Sequence, residues 1–162
     1  MSLHFTELSL DRFKHVIVLD QLFPYQSSLY LHNEPSAAPL NLPSILTSSV
    51  PGLPPGPAHS FFQAGINNTY VISGYDASFA AGYMSALPVH VPLSQAVEVA
   101  NTLVTNIISL LEPTESVEVH VNSTYLNELL SCFAGNGQCG IIEEILGLKP
   151  DSLTNRQGNH EE

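Results

Sequence analysis

Two Asn-x-Ser/Thr tripeptides and one close cysteine pair carry the most definite chemistry in this chain. Asn67-Asn68-Thr69 and Asn122-Ser123-Thr124 both match the acceptor pattern for N-linked glycosylation, in which a hydroxyl two residues on accompanies the reacting amide. Cys132 and Cys139 are the only cysteines. Their separation suits a disulfide closing a small loop, a bridge expected to stabilise by about 2–3 kcal/mol. In a reducing compartment the same pair would stay as two thiols. One tripeptide alone says little, because the pattern is frequent by chance. Two of them at turn or surface positions, with the cysteine pair, point to a secreted or lumenal surface.

Other chemistry is thinner. Seven histidines stand among fifteen carboxylates, and His15 with Asp20 or His32 with Glu34 would be candidate ligand pairs. No HExxH, CxxC or His-x-His spacing is present. His90 and His120 lie in Pro-rich and edge-strand contexts, so the histidines read as scattered surface or strand residues and no metal or cofactor is expected. Nucleophilic catalysis needs a base and a third orienting group. No GxSxG elbow occurs, and neither cysteine has a histidine nearby in sequence. Asp20 and Asp76 each follow an apolar run, at the carboxyl end of a strand where α/β enzymes carry function. Without a partner group, each is expected to cap the turn that follows it.

The elements that must position these groups alternate in type. His15 to Leu19 reads as a buried strand, 28–32 as a second, and Thr69 to Ser73 as another closed by Gly74. Residues 58–64 are a short helix candidate. From Leu93 to Leu111, apolar residues at 93, 96, 97, 100, 103, 104, 107, 108 and 111 form one helical face, with Ser94 able to cap its start and Pro113 to stop it. Residues 117–121 alternate like an edge strand, and helices over 123–133 and 141–146 flank the cysteine loop. Residues 33–57 hold seven of the twelve prolines. That stretch reads as a surface excursion, because PGLPPGP at 51–57 suits neither helix nor central strand. The fold class is α/β, a layered sheet with short C-terminal helices.

Composition bounds the partners. At 162 residues the chain is long enough for one domain with a core. Four basic against fifteen acidic residues give a formal charge of −11. Such a surface repels phosphates and anionic lipid, which disfavours nucleic acid and membrane-surface partners. No signal peptide is legible at the start, and no apolar run approaches the ~20 residues that span a bilayer. Lumenal chemistry without an export signal reads as part of a longer protein.

The serial order of these features resembles nicastrins, the glycosylated single-pass subunits of the γ-secretase complex, and in particular their plant and algal branch. VHVNSTYLNELLSCFAGNGQC resembles the segment in which a sequon, an ELL-type helix and cysteines follow a short strand. GLPPGPAHSFFQAGINNTYVISGYDASFAAGYMSALP resembles the segment in which a PP-S-L-type helix leads to a strand and a D-x-x-F turn. LDRFKHVIVLDQL resembles the stretch around the family's V-E-L-G strand. The likeness spans about residues 8–147, the later part of a nicastrin ectodomain.

Nicastrin ectodomains are similar to bilobed zinc aminopeptidases, and the resemblance implies a partial αβα lobe of that kind. In those enzymes a strand-end Asp binds zinc, and Asp20 stands near that position; a later His ligand would fall at about Tyr75. Phenol substitutes poorly for imidazole, so the resemblance implies a catalytically dead fold with Asp20 as a vestigial ligand. It further implies residues 1–111 as the partial lobe, 112–149 as a C-terminal strand and helices around the Cys132–Cys139 loop, and 150–162 as a polar tail. The expected partners are a presenilin-type aspartyl protease, the other γ-secretase subunits and membrane protein substrates. The expected location is the lumenal or extracellular side of the endoplasmic reticulum, Golgi and plasma membranes. A divergent zinc aminopeptidase and an unrelated extracellular binding module are the alternatives.

Overall fold

A computed structural model of the chain describes residues 12–23, 28–79, 91–112 and 119–134, with positions 140, 141, 144 and 147. It is mixed α/β, as expected. Four strands, β1 (Val16–Asp20), β2 (Leu29–Asn33), β3 (Ile45–Thr47) and β4 (Thr69–Ser73), form one sheet in the order β1-β4-β2-β3. β4 runs parallel to β1 and antiparallel to β2, and β2 runs parallel to β3.

β4 is one of the two inner strands and the one buried along its whole length, and its sequence shows why. All five residues of TYVIS are buried, the continuous apolar run of a strand covered on both faces. Because side chains alternate, Tyr70 and Ile72 face one way and join Leu29, Leu31, Leu42 and Ile45 beneath helix α2 (Leu93–Leu111), which contributes Val99 and Leu103. Val71 faces the other way and joins Leu53 and Ala58, the latter on helix α1 (Ala58–Gln63), with Val18 and Phe62 packed alongside. Helix, sheet and helix therefore make three layers. Gly65, with φ +96°, stands just beyond the C-cap of α1, where a left-handed residue turns the chain toward β4.

Several expectations need correction. HVIVL was read as a buried strand, yet β1 lies at a sheet edge and Leu19 is 48% exposed. An apolar run does not say which strand takes the centre. The Pro-rich stretch is not merely a surface excursion. It supplies β3 and the buried side chains of Leu42, Ile45 and Leu53. Parallel β2 and β3 require a crossover, and irregular residues 34–44 provide it. Proline forbids regular ladders, but it does not prevent intervening leucines from packing.

Helix α2 has the expected bounds but a rotated face. Ala96, Val99, Leu103 and Asn106 are the buried positions, a stripe stepping by three and four residues, while Ile107 and Leu111 are exposed. Ser94 does not cap it. Pro92 is the N-cap residue, no side-chain cap bond is made, and the Pro92 carbonyl accepts from the Ala96 amide at 3.1 Å. The helix therefore starts two residues earlier than a Ser94 cap would place it.

Helix α3 (Ser123–Ala134) packs against α2, and the Asn101 Oδ1 accepts from the Val121 amide at 2.8 Å to hold its approach. Residues 119–121 are not strand; 113–118 lie outside the described residues, as does most of the 141–146 helix. Among the described residues no helix is long and apolar enough to cross a membrane.

Candidate functional site

The carboxyl ends of the two parallel strands β1 and β4 meet at a tight junction. The Gly74 amide donates to the Gln21 carbonyl at 3.0 Å, and Gln21 itself has φ +40°. A Cβ on Gly74 would stand 2.6 Å from the Leu22 carbonyl oxygen. This approach carries Tyr75 over Asp20, and the Tyr75 hydroxyl donates to Asp20 Oδ2 at 3.3 Å. The two positions that the resemblance set at zinc-ligand points are thus neighbours in space. Burial, then the Asp20 charge and its hydrogen bond, push the Tyr75 phenol well above its ordinary pKa. A phenol held protonated offers no anionic oxygen to a cation and gives its proton to the one carboxylate at hand. This pair does not fit zinc.

A second cluster was not anticipated. His32, on β2, and Ser73, at the end of β4, share a face of the sheet, because Tyr30 pairs with Ser73 and His32 with Val71. His32 Nε2 lies 2.8 Å from Ser73 Oγ and 3.1 Å from the Tyr75 carbonyl oxygen. The resulting Ser–His contact invites a nucleophile reading, and proton accounting decides against it. A carbonyl only accepts, so Nε2 carries the hydrogen. Ser73 Oγ donates its own hydrogen to the same Tyr75 carbonyl at 2.8 Å. Nε2 is therefore a donor and not a base toward Ser73, which is 0% exposed and out of reach of any substrate. The pair pins the corner after β4. Its only sequence signal is alternation, which says that each residue faces a layer but not that the two faces coincide.

Burial lowers the His32 pKa below 6.5; the Tyr75 carbonyl bond, Asp76 and Asp20 oppose this more weakly. Between 6.5 and the lower folded value, the unfolded chain binds a proton that the folded chain refuses. Stability is therefore unaffected above that window and falls as pH falls through it, at up to about 1.4 kcal/mol per unit. Urea titrations from pH 8 to 5 on the native protein and His32→Gln should differ by this slope. Equal pH dependence would show that His32 contributes none of it.

Asp76 does not cap the turn after itself. Its carboxylate accepts from the Ser48 hydroxyl at 2.9 Å, the Ser49 amide at 2.7 Å and the Ser49 hydroxyl at 2.7 Å. It thereby clamps a loop that ends β3, nearly thirty residues earlier in the chain. Those bonds, led by the Ser49 hydroxyl, hold its pKa below 3.8. Glu34 acts similarly, its Oε1 accepting from the Leu53 amide at 3.3 Å, while the Asn33 carbonyl accepts from the Gly52 amide. Asp76→Ala should speed amide exchange at Ser49 by about tenfold or more while central β4 amides keep their protection. Unchanged exchange at Ser49 would show that the loop holds itself.

The stretch so fixed, with residues 75–79, lines an open-mouthed cavity of about 190 Å³ against His32 and Tyr75, with Leu53, Pro54 and Phe79 among its walls. The Tyr75 ring stacks obliquely between His32 and Phe79, at centroid distances of 5.3 and 5.0 Å. The walls are largely proline and aromatic carbon, and the His32 and Asp76 side chains among them are engaged with the protein itself.

The remaining expected residues are dispersed. His15 precedes β1 and Asp20 ends it, about 16 Å away along an extended strand, so they are no ligand pair. His32 and Glu34 are committed to different partners. Among the described residues no group of three or more His, Cys, Asp or Glu could hold a metal ion. His90 lies outside the described residues. Asn67 is exposed on the loop before β4, and Asn122 is exposed at the start of α3. Cys132 is buried in α3 and disulfide-bonded, whereas Cys139 lies outside the described residues.

Comparisons with protein families, with characterised proteins and with solved structures find no match to this chain.

Proposed function

We propose that this chain is a non-catalytic segment of a nicastrin-like ectodomain, glycosylated at Asn67 and Asn122 and bridged between Cys132 and Cys139. In this reading it belongs to a γ-secretase complex on the lumenal or extracellular side of the membrane. There it scaffolds a presenilin-type aspartyl protease and restricts which membrane protein stubs reach it. The single observation that carries the non-catalytic part is the Tyr75 hydroxyl bonded to Asp20 at the junction of β1 and β4. In a bilobed zinc aminopeptidase those positions would supply an imidazole and a carboxylate; here a protonated phenol and a carboxylate satisfy each other.

Two further features support the reading. Helix layers on both faces of the sheet suit a partial aminopeptidase-like lobe. Exposed Leu19 and Leu46, on the two edge strands, suit a sheet surface that continues into a larger assembly. The charge of −11 sets the partners apart from nucleic acid.

The test is affinity capture, from mild-detergent membrane extracts, of this chain or the longer protein that carries it. Recovery of a presenilin-type protease is the expected result. Capture that leaves every such protease in the flow-through removes the proposal. Stoichiometric zinc in the purified protein, with hydrolysis of aminoacyl amides that is lost in Asp20→Asn, would favour the aminopeptidase instead.

A further inference from the structure

We propose that the two sequons are read at different stages of folding: Asn67 only before the sheet forms, and Asn122 before or after. The inference rests on the lumenal reading above and deepens it by specifying when each site is open. The reaction joins the asparagine amide nitrogen to the anomeric carbon of a lipid-linked oligosaccharyl pyrophosphate. The C–N bond forms, the anomeric C–O bond breaks with its electron pair leaving on lipid pyrophosphate, and the amide nitrogen gives one proton to a base of the transferase. Nothing is oxidised or reduced. The acceptor pattern requires the hydroxyl two residues after the asparagine, so that hydroxyl must be reachable together with the amide.

At the first sequon it is not. The Asn67 residue is exposed, but Thr69 is 0% exposed and opens the inner strand β4 opposite Val16. The Thr69 hydroxyl donates to the Ile66 carbonyl at 2.6 Å. Between them, Asn68 is anchored three ways. Its Oδ1 accepts from the Ala38 amide at 3.1 Å, its Nδ2 donates to the Lys14 carbonyl at 3.2 Å, and its own carbonyl accepts from the Val16 amide at 2.9 Å. Drawing this tripeptide into an enzyme cleft would pull out the strand that both layers pack against. The opening needed is close to global unfolding.

At the second sequon all three residues are exposed. Asn122 caps α3, its Oδ1 accepting from the Tyr125 amide at 3.1 Å and its carbonyl from the Leu126 amide at 2.9 Å. Transfer takes place on Nδ2, so a glycan leaves the capping oxygen in use. Fraying of one terminal helical turn is enough to present the site.

Unglycosylated chain made in bacteria, folded and oxidised, should be incubated with purified oligosaccharyl transferase and lipid-linked oligosaccharide. Occupancy is then read by mass spectrometry of the two sequon peptides. The folded chain should carry glycan at Asn122, with initial transfer to Asn67 slower by about twentyfold or more. Ile72→Asp, which buries a carboxylate in the core and opens the sheet, should raise Asn67 transfer to the level of Asn122. Equal rates at both sites in the folded chain would overturn the proposal. So would an Asn67 that stays unmodified in the opened chain, since the barrier would then lie in its local sequence and not the fold. No transfer to Asn122 in the folded chain overturns the second half. None of these outcomes depends on where the protein resides, so they are separable from failure of the membrane capture.

Discussion

Tyr70→Ala should lose about 4–5 kcal/mol of folding free energy, enough to unfold the domain at ordinary temperatures. Tyr70 is the largest fully buried side chain among the described residues and sits on β4 under α2, among Leu29, Leu31, Ile72, Val99 and Leu103. Removing its ring leaves a cavity in a layer whose walls, backbone of a central strand and helix α2, cannot collapse inward. Its hydroxyl adds a second contribution, donating to the Ala38 carbonyl at 2.7 Å. Ala38 lies in the irregular crossover from β2 to β3, and its amide is held in turn by Asn68 Oδ1. Tyr70→Phe keeps the ring and removes only this tether, so a smaller loss of about 1–2 kcal/mol is expected. Urea unfolding of the two variants separates packing from tether. A loss under 2 kcal/mol for the alanine variant would mean that the core around Tyr70 is looser than described.

Gly74→Val should be nearly as damaging, at about 3 kcal/mol or more. The Cβ would approach the Leu22 carbonyl oxygen to 2.6 Å, the Leu22 carbonyl carbon to 3.0 Å and the Gln21 oxygen to 3.1 Å. All three are backbone atoms, so no side chain can swing aside. The chain would have to separate the ends of β1 and β4, breaking the bond from the Gly74 amide to Gln21 and lifting Tyr75 from Asp20. Local damage therefore predicts a specific signature. Tyr75→Phe, which removes only the phenol proton donor, should cost far less than Gly74→Val. If the two variants unfolded at the same urea concentration, the close approach at Gly74 would not be what holds this junction.

Much of the secondary structure could be read from periodicity alone. TYVIS has the bounds of β4, and Leu93–Leu111 has those of α2. Both follow from rules acting within a few residues: β-branched and aromatic runs make strands, and three-to-four spacing makes helices. The contact of Tyr75 with Asp20 has no such local signal, because it depends on the pairing of β1 with β4. β3 was missed because three residues, ILT, lie among prolines and gain strand character from pairing with β2, not from their own pattern. The buried face of α2 was misplaced for a related reason. Its apolar residues wrap so widely that several faces score alike, and the sheet beneath selects Val99 and Asn106 over Ile107 and Leu111.

The sequence by itself determined the alternation of strands and helices, the acidic surface, the two acceptor sequons and the presence of one cysteine pair, because these depend on residue type and local spacing. Tertiary structure alone decided that β4 takes an inner place, that His32 meets Ser73, and that Asp76 holds the Ser48–Ser49 loop. It also decided that Thr69 is sealed while Thr124 is open. Those outcomes depend on which segments distant in the chain become neighbours. That is set by the mutual burial of whole faces, and no window of local sequence contains it.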